Sequence, residues 1–419
     1  MSEYLNLSNY PKDWEHKEGI SFLTLGSGVS PSNIAFSRNG DTPYMKVDDF
    51  NNPGNSTFIK KTKLRFDKED NKTPLARELS IIIAKRGAAI FKNRVRISQY
   101  EMAVDTNLMT IDVNEEHCPV YFKFLLEFIN LGSIADTTSI PQLNNFHLNE
   151  TSFAFPPLPE QKKIAAILTS VDEVIEKTKA QIDKLKDLKT GMMQELLTRG
   201  VGVDGKPHTE FKDSPVGRIP KGWEVKSIIQ VLERVIDYRG KSPPKSDSGL
   251  PLLTAKNIRK GFINPEPKEF IPFEKYEEWM VRGVPTYGDV FITTEAPLGN
   301  VARVPKYKFA IGQRVLALCP KGDLLDTDFL VFVLQSESFV KQLVLQSTGS
   351  TVAGIKQSTF KNILLPVPSL GEQVYIAGCL KSNVKKCEGL EVKLTKLKDI
   401  KKALMQDLLT GKKRVKVGS

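Results

Sequence analysis

Two stretches of this chain carry a seven-residue rhythm of apolar positions and contain no proline. In the first, Ile164, Val171, Thr178, Leu185 and Met192 recur every seventh residue, with Leu168, Ile175, Ile182 and Leu196 beside them. In the second, Ile376, Asn383, Leu390, Leu397 and Leu404 do the same, with Leu380, Cys387, Leu394 and Leu408 alongside. That spacing is a coiled-coil seam. Each stretch follows a proline-marked boundary, Phe155-Pro156-Pro157-Leu158-Pro159 and Leu365-Pro366-Val367-Pro368-Ser369, and proline at the start with none inside signals helix initiation. The Ser369-Leu370-Gly371 of the second boundary, standing where the first has Pro157-Leu158-Pro159, predicts a less sharply defined start. At 1.5 Å per residue each helix would run roughly 60 Å, and an isolated helix of that length does not leave its stripe in water. Each is therefore the natural partner of the other. Chain direction makes the pair antiparallel, a spacer with a globular segment at either end. Asn383 stands at a seam position where the first helix has Val171, and a buried polar residue there fixes register at some cost in stability.

Outside the helices the pattern changes to short β-like runs broken by turns. Tyr44-Met45-Lys46-Val47, Thr57-Phe58-Ile59, Leu79-Ser80-Ile81-Ile82-Ile83 and Leu108-Met109-Thr110-Ile111-Asp112-Val113 read as strands, and residues 120–129 as an amphipathic helix. Further on, Leu252-Leu253-Thr254, Gly288-Asp289-Val290-Phe291-Ile292-Thr293 and Val315-Leu316-Ala317-Leu318 read as strands and residues 328–334 as a helix. This order lacks βαβ alternation and predicts an α+β fold.

The order also repeats. Pro11, Lys12, Trp14, Glu15 and Lys17 return as Pro220, Lys221, Trp223, Glu224 and Lys226. Glu160-Gln161, Leu185-Lys186-Asp187 and Leu196-Leu197-Thr198 return as Glu372-Gln373, Leu397-Lys398-Asp399 and Leu408-Leu409-Thr410. Each copy is a globular domain with an appended helix, which predicts two homologous domains with internal pseudo-two-fold symmetry. The segments are a first globular domain, 1–155; a first spacer helix, 156–201; a second globular domain, 202–364; and a second helix with the tail, 365–419. Duplex DNA is a ligand of matching symmetry, read by paired domains as two half-sites.

Composition sharpens this. The 419 residues carry a formal charge of +11, which favours a polyanionic partner. Cys118, Cys319, Cys379 and Cys387 are too scattered for a disulfide framework or a metal knuckle. The residues before Trp14 hold no basic-then-apolar leader pattern, and no apolar run approaches the roughly 18 residues of a membrane span. A cytoplasmic location is expected.

With these pieces in order, the chain resembles the specificity (S) subunits of Type I restriction-modification enzymes over nearly its whole length. The resemblance rests on Pro220-Lys221-Gly222-Trp223-Glu224, on Asp237-Tyr238-Arg239-Gly240-Lys241-Ser242-Pro243, and on Leu250-Pro251-Leu252-Leu253-Thr254-Ala255-Lys256-Asn257-Ile258. It extends to Gly349-Ser350-Thr351-Val352, the Pro-x-Pro-x-x-x-Glu-Gln that leads into the helix, and Leu408-Leu409-Thr410-Gly411-Lys412-Lys413-Arg414-Val415. It implies two target-recognition domains that each read half of a bipartite, asymmetric double-stranded DNA site, and two helices that set the gap. It also implies assembly with modification subunits, two by pseudosymmetry, and with restriction subunits. S-adenosylmethionine, ATP and Mg are expected on those partners, with no cofactor or metal on this chain. The first copy diverges more: Gly28-Val29-Ser30-Pro31 answers Gly240-Lys241-Ser242-Pro243.

Recognition domains need cations for phosphate oxygens and forked or amide side chains for base edges. The candidates are Lys60, Lys61 and Lys63 with Arg65; Lys85 and Arg86; and Arg94 with Lys92 and Arg96. In the second domain they are Arg239, Lys241 and Lys245; Lys256, Arg259 and Lys260; and Arg303 with Arg314. Tyr44, Asn257 and Gln357 read equally as base-reaching or as packing and capping residues. Catalysis has no foothold. An adenine methyltransferase would need an Asn/Asp-Pro-Pro-aromatic loop, which Asn264-Pro265-Glu266-Pro267 is not. A Walker A loop ending at Gly240-Lys241-Ser242 would need glycine where Val235 stands. Asp67, Glu69 and Asp70 read as a solvated acidic run, and His16, His117, His147 and His208 lack metal-ligand spacing. The alternative from another class is a scaffold or antirestriction protein that binds modification subunits without reading DNA.

Overall fold

A strand that is apolar at consecutive positions must be covered on both faces, and Ile81-Ile82-Ile83 is such a strand. In the computed structural model, which describes residues 10–69, 71–138, 140–238, 242–349 and 353–416, all three side chains are buried. Ile81 and Ile83 pack with the aromatic face of helix Pro119–Ile129, and Ile82 packs with Met45, Phe50 and Ile59 on the other side. The second copy repeats the arrangement with Val290 and Ile292 on one face and Phe291 on the other.

The chain divides into two compact units, Met1–Ile182 with Leu390–Ser419, and Asp183–Gly389. In the first, strands Leu23–Ser27, Leu108–Val113, Ile81–Ala84, Val95–Ser98 and Phe58–Ile59 form a sheet in that order, antiparallel except for the last pair. A second sheet sets Thr42–Met45 antiparallel to Leu64–Phe66 and parallel to Ala103–Val104. Glu15–Glu18 pairs with Ser152–Phe155.

The second unit has the same plan. Leu232–Asp237, Val315–Pro320, Val290–Thr293 and Val301–Arg303 form an antiparallel sheet in that order. Leu250–Leu253 pairs antiparallel with Phe270–Ile271 and parallel with Ala310–Ile311, and Glu224–Ser227 pairs with Leu364–Val367. The duplication in sequence is therefore a duplication of topology in an α+β fold. Local differences from the sequence pattern have local causes. The strand expected from Leu79 starts at Ile81 because Leu79 has a left-handed φ of 68°. The strand expected to reach Val47 stops at Met45, because Asp49 closes a 3-10 turn over Val47–Asn51.

The two long helices are Leu158–Leu196 and Leu370–Leu409. The second starts as sharply as the first: Ser369 accepts the N–H of Gln373 on its carbonyl at 3.0 Å, and its hydroxyl lies 3.4 Å from the N–H of Glu372, replacing proline as the cap. In the first unit, Ile164 and Leu168 near the start of one helix pack with Leu404 and Leu408 near the end of the other, so the pairing is antiparallel. In the second unit, Met192 and Leu196 pack with Ile376 and Leu380. Val171, Leu185, Met192, Leu390, Leu397 and Leu404 are half-buried, and Asn383 is buried with its Oδ1 unpaired. Beside Val171 it is Asp172 that turns fully inward.

The repeated Glu-Gln pair explains how each helix is seated. Gln161 accepts the N–H of Cys118 at 2.9 Å and donates to the carbonyl of Pro156 at 2.9 Å. Gln373 accepts the N–H of Asp326 at 2.8 Å and donates to the carbonyls of Leu324 and Pro368. Each thereby clasps the N-terminal side of its domain's main helix. The glutamates receive the segment that follows the opposite helix. Glu372 accepts from the Val201 N–H at 3.0 Å and the Trp223 indole at 3.0 Å, with His208 Nε2 at 2.8 Å. Glu160 accepts from the Arg414 guanidinium at 2.8 and 3.0 Å and the Val415 N–H at 3.1 Å, and Arg414 also donates to Asp13 at 2.8 Å. Glycine closes both helices where a left-handed residue must press on tryptophan. A Cβ on Gly200 (φ 65°) would lie 2.4 Å from the Trp223 ring, and one on Gly411 (φ 70°) would lie 2.4 Å from Pro11 and 3.1 Å from Trp14.

Burial pushes the Glu160 carboxyl up, but Arg414 and the Val415 N–H outweigh it and hold the carboxyl below the usual range. Its folded value lies under an unfolded value of about 4.3. The stabilisation is therefore present above that pH and is lost as pH falls through the folded value. Arg414→Met should destabilise the first unit by about 1–2 kcal/mol at pH 7, with the gap to wild type closing below about pH 4. Thermal melting across pH checks this, and a gap unchanged at pH 3 would contradict it.

Candidate nucleic-acid interface

The turn that follows strand Thr42–Met45 is built on two buried side chains. Asp49 accepts the N–H groups of Lys46 at 2.9 Å and Lys63 at 3.2 Å and the Asn52 amide at 2.8 Å. Asn55 accepts the N–H groups of Lys60 and Lys61 at 2.9 and 3.1 Å and donates to the carbonyls of Asp49 and Lys61. With its backbone fastened from beneath, the loop carries Lys60, Lys61 and Lys63 on its outer side. None of the three is held in an ion pair among the described residues. Ammonium groups on a fixed backbone suit phosphate contact.

The second domain makes the same turn on one residue. Asn257 follows its strand at the position Asp49 holds in the first copy. It accepts the N–H of Thr254 at 2.9 Å and donates to the carbonyls of Asn264 and Pro267 at 3.1 and 3.0 Å. Lys256 and Lys260 project from this loop, and Arg259 is half-buried with NH1 3.4 Å from the Ile258 carbonyl. Asn257 is thus the hub of its turn. Tyr44 also lies inside, fully buried, donating to the Val29 carbonyl at 2.8 Å. Burial, with the Asp105 charge beside it, pushes its phenol far up. Gln357 is half-buried at the start of helix Gln357–Phe360.

The remaining cations are dispersed. Arg94 is brought to the first loop by a hydrogen bond to Asn51. Arg65 donates to the carbonyls of Gly40 and Asp41, both at 2.6 Å. Lys85 lies elsewhere, at the end of strand Ile81–Ala84, with Nζ 3.1 Å from the Ser27 hydroxyl. Burial and the neighbouring Arg86 charge lower its pKa. Arg86 and Lys92 are exposed. Arg96 turns inward, donating to the Asn55 carbonyl at 2.5 Å. Lys245 pairs with Glu269 at 2.9 Å and Arg314 with Glu295 at 2.6 Å. Arg303 is paired to Asp328, which also holds Lys381 of the second long helix at 2.5 Å, so it belongs to the contact between domain and helix. Arg239 and Lys241 lie outside the described residues. Sequence reasoning missed the hubs Asp49 and Asn55, although an Asx residue at one repeat position in both copies was a signal for the first.

Among the described residues no group of three or more His, Cys, Asp or Glu could hold a metal ion, and no helix is long and apolar enough to cross a membrane. A family model described as the Type I restriction modification DNA specificity domain matches twice, at residues 11–187 and 220–399. The chain is 28% identical over 420 residues to the Type I restriction enzyme MjaVIII specificity subunit of Methanocaldococcus jannaschii, covering 97% of this chain and 94% of that one. It is 30% identical over 325 residues to the putative MjaX specificity subunit of the same organism, covering 74% and 72%. The fold matches the crystal structure of the Type I restriction-modification system S subunit from M. genitalium with a TM-score of 0.60 at 15% identity, over 97% of this chain and 99% of that chain.

Charge reversal separates the two kinds of cation. K60E/K61E and K256E/K260E should each flatten the salt dependence of duplex binding by roughly one logarithmic slope unit for every phosphate left without its cation. Arg303→Glu should lower melting temperature with the slope unchanged. Binding titrations at several salt concentrations check this, and an unaltered slope in both loop variants would remove these lysines from the interface.

Proposed function

Because the chain belongs to the DNA specificity subunits of Type I restriction-modification systems, we propose that each of its globular domains reads one half of a bipartite, asymmetric site and that partner subunits perform the chemistry there. The observation that carries this reading is the equivalence of the Asp49 and Asn257 turns. One scaffold, used twice, presents different side chains: Lys60, Lys61 and Lys63 in one copy, Lys256, Arg259 and Lys260 in the other. Two surfaces of the same build, each carrying cations for phosphate oxygens, suit a target engaged as two half-sites.

On this reading the chain is a non-catalytic subunit that acts in the cytoplasm. Modification subunits, two by the pseudosymmetry of the duplicated helices, bring S-adenosylmethionine, and restriction subunits bring ATP and Mg. The lack of a base-clamping Asn/Asp-Pro-Pro-aromatic loop and of a phosphate loop in the sequence supports that division of labour.

Co-expression with the modification subunit in a methylation-free host, followed by genome-wide mapping of methylated adenine, tests the proposal. A two-part motif with a fixed gap is expected, and exchanging one globular domain for that of a relative should change one half of the motif alone. An intact complex that methylates without sequence preference would overturn it.

A further inference from the structure

The first unit contains a buried group of charges that the DNA-facing loops do not use. Lys123, fully buried on helix Pro119–Ile129, lies 2.9 Å from the Glu127 carboxylate, outside hydrogen-bonding angle, and 3.7 Å from Asp172. Lys401, on the second long helix, lies 2.7 Å from Asp172 on the first and 3.5 Å from Glu127. Both ammonium groups stand over the Phe124 ring, at 3.9 and 5.3 Å. Arg96 completes the group, with NH1 3.4 Å from Glu127.

Two members reach the basic loop from below. Thr57 donates to Asp172 at 3.1 Å, and Arg96 donates to the carbonyl of Asn55, the residue that fastens Lys60 and Lys61. The network therefore ties the loop to both long helices at once.

Stability alone does not account for it. Burying ions carries a desolvation penalty that apolar packing of the same shape avoids. The second copy dispenses with the buried ions: Val331 and Val384 stand where the first copy has Lys123 and Asp172 and Gln335 replaces Glu127, with Val331 in its core and Val384 packed against it, while a half-buried lysine, Lys189, stays at the position of Lys401. What charges and hydrogen bonds add over methyl groups is direction. Burial alone would lower Lys401, but Glu127 and Asp172 outweigh it and hold its pKa above that of an ordinary lysine, while burial prevails at Lys123.

We infer that Lys401 and Asp172 are positioning residues for the first domain's DNA half-site, fixing through Thr57 and Arg96 where its Lys60–Lys61 turn stands. The inference rests on the reading that this domain recognises one half-site. It requires that a residue on the second long helix, remote in sequence from the first domain, control recognition by that domain and leave the other untouched.

The test uses the full chain assembled with the modification subunit and compares methylation of the mapped motif with that of single-base variants in each half. Lys401→Met should reduce discrimination within the half assigned to the first domain by about tenfold, the order of one mismatched base pair, with discrimination in the other half as in wild type. Lys401→Arg should restore it. Thr57→Val, which removes one tie and leaves every charge in place, should shift the same half in the same direction and carries the test if the Lys401→Met protein does not assemble. Wild-type discrimination in both variants, even with a lowered melting temperature, would make the network merely structural and overturn the inference. A wild-type complex that discriminates in neither half would overturn the half-site reading itself, and the inference with it.

Discussion

Helices of 39 and 40 residues that each carry an apolar stripe cannot stand alone in water. The rest of this protein is organised around covering those stripes. Because the helices pair antiparallel, the early turns of one lie with the late turns of the other within each unit. A compact unit therefore consists of one globular domain, the first half of its own helix and the second half of the other domain's helix. This interleaving is what makes a residue such as Lys401, numbered near the C-terminus, part of the core beneath the first domain.

The same requirement shapes the ends of the helices. Glu160 and Glu372 occupy equivalent positions and do the same work with different partners: a guanidinium in one copy, an indole and an imidazole in the other. The glycines that close the helices press against equivalent tryptophans. The copies have kept the geometry of the joint while exchanging its chemistry. The cores diverge in the same manner, with an ionic network in the first unit and valines in the second. Two domains of the same plan with different interiors and different loop residues can present different surfaces without a change of architecture.

Much of this frame is legible in the sequence because its signals are local. A heptad seam and a proline before a helix each lie within a few residues of what they specify. The family resemblance rests on the same motifs. Features made by distant residues were not legible. The heptad rhythm does not mark Asp172, and Lys123, Lys401 and Thr57, drawn from three other segments, account for its burial. Arg303 reads as a strand-side cation until Asp328 is seen beside it. Asn257 reads equally as a base-reaching amide or as a packing and capping residue until the carbonyls of Asn264 and Pro267 take its hydrogens. A strand of two residues such as Ala103–Val104 is too short to display a period.

That the first unit is completed by the end of the second long helix is tested most directly by hydrogen exchange on a chain ending at Gly389, compared with the full protein. Loss of residues 390–419 should strip protection from residues 158–182 and from helix Pro119–Ile129, whose core they complete, while helices Thr327–Val333 and Glu337–Leu345 in the second unit keep theirs. Protection of residues 158–182 equal to that in the full chain would contradict the account.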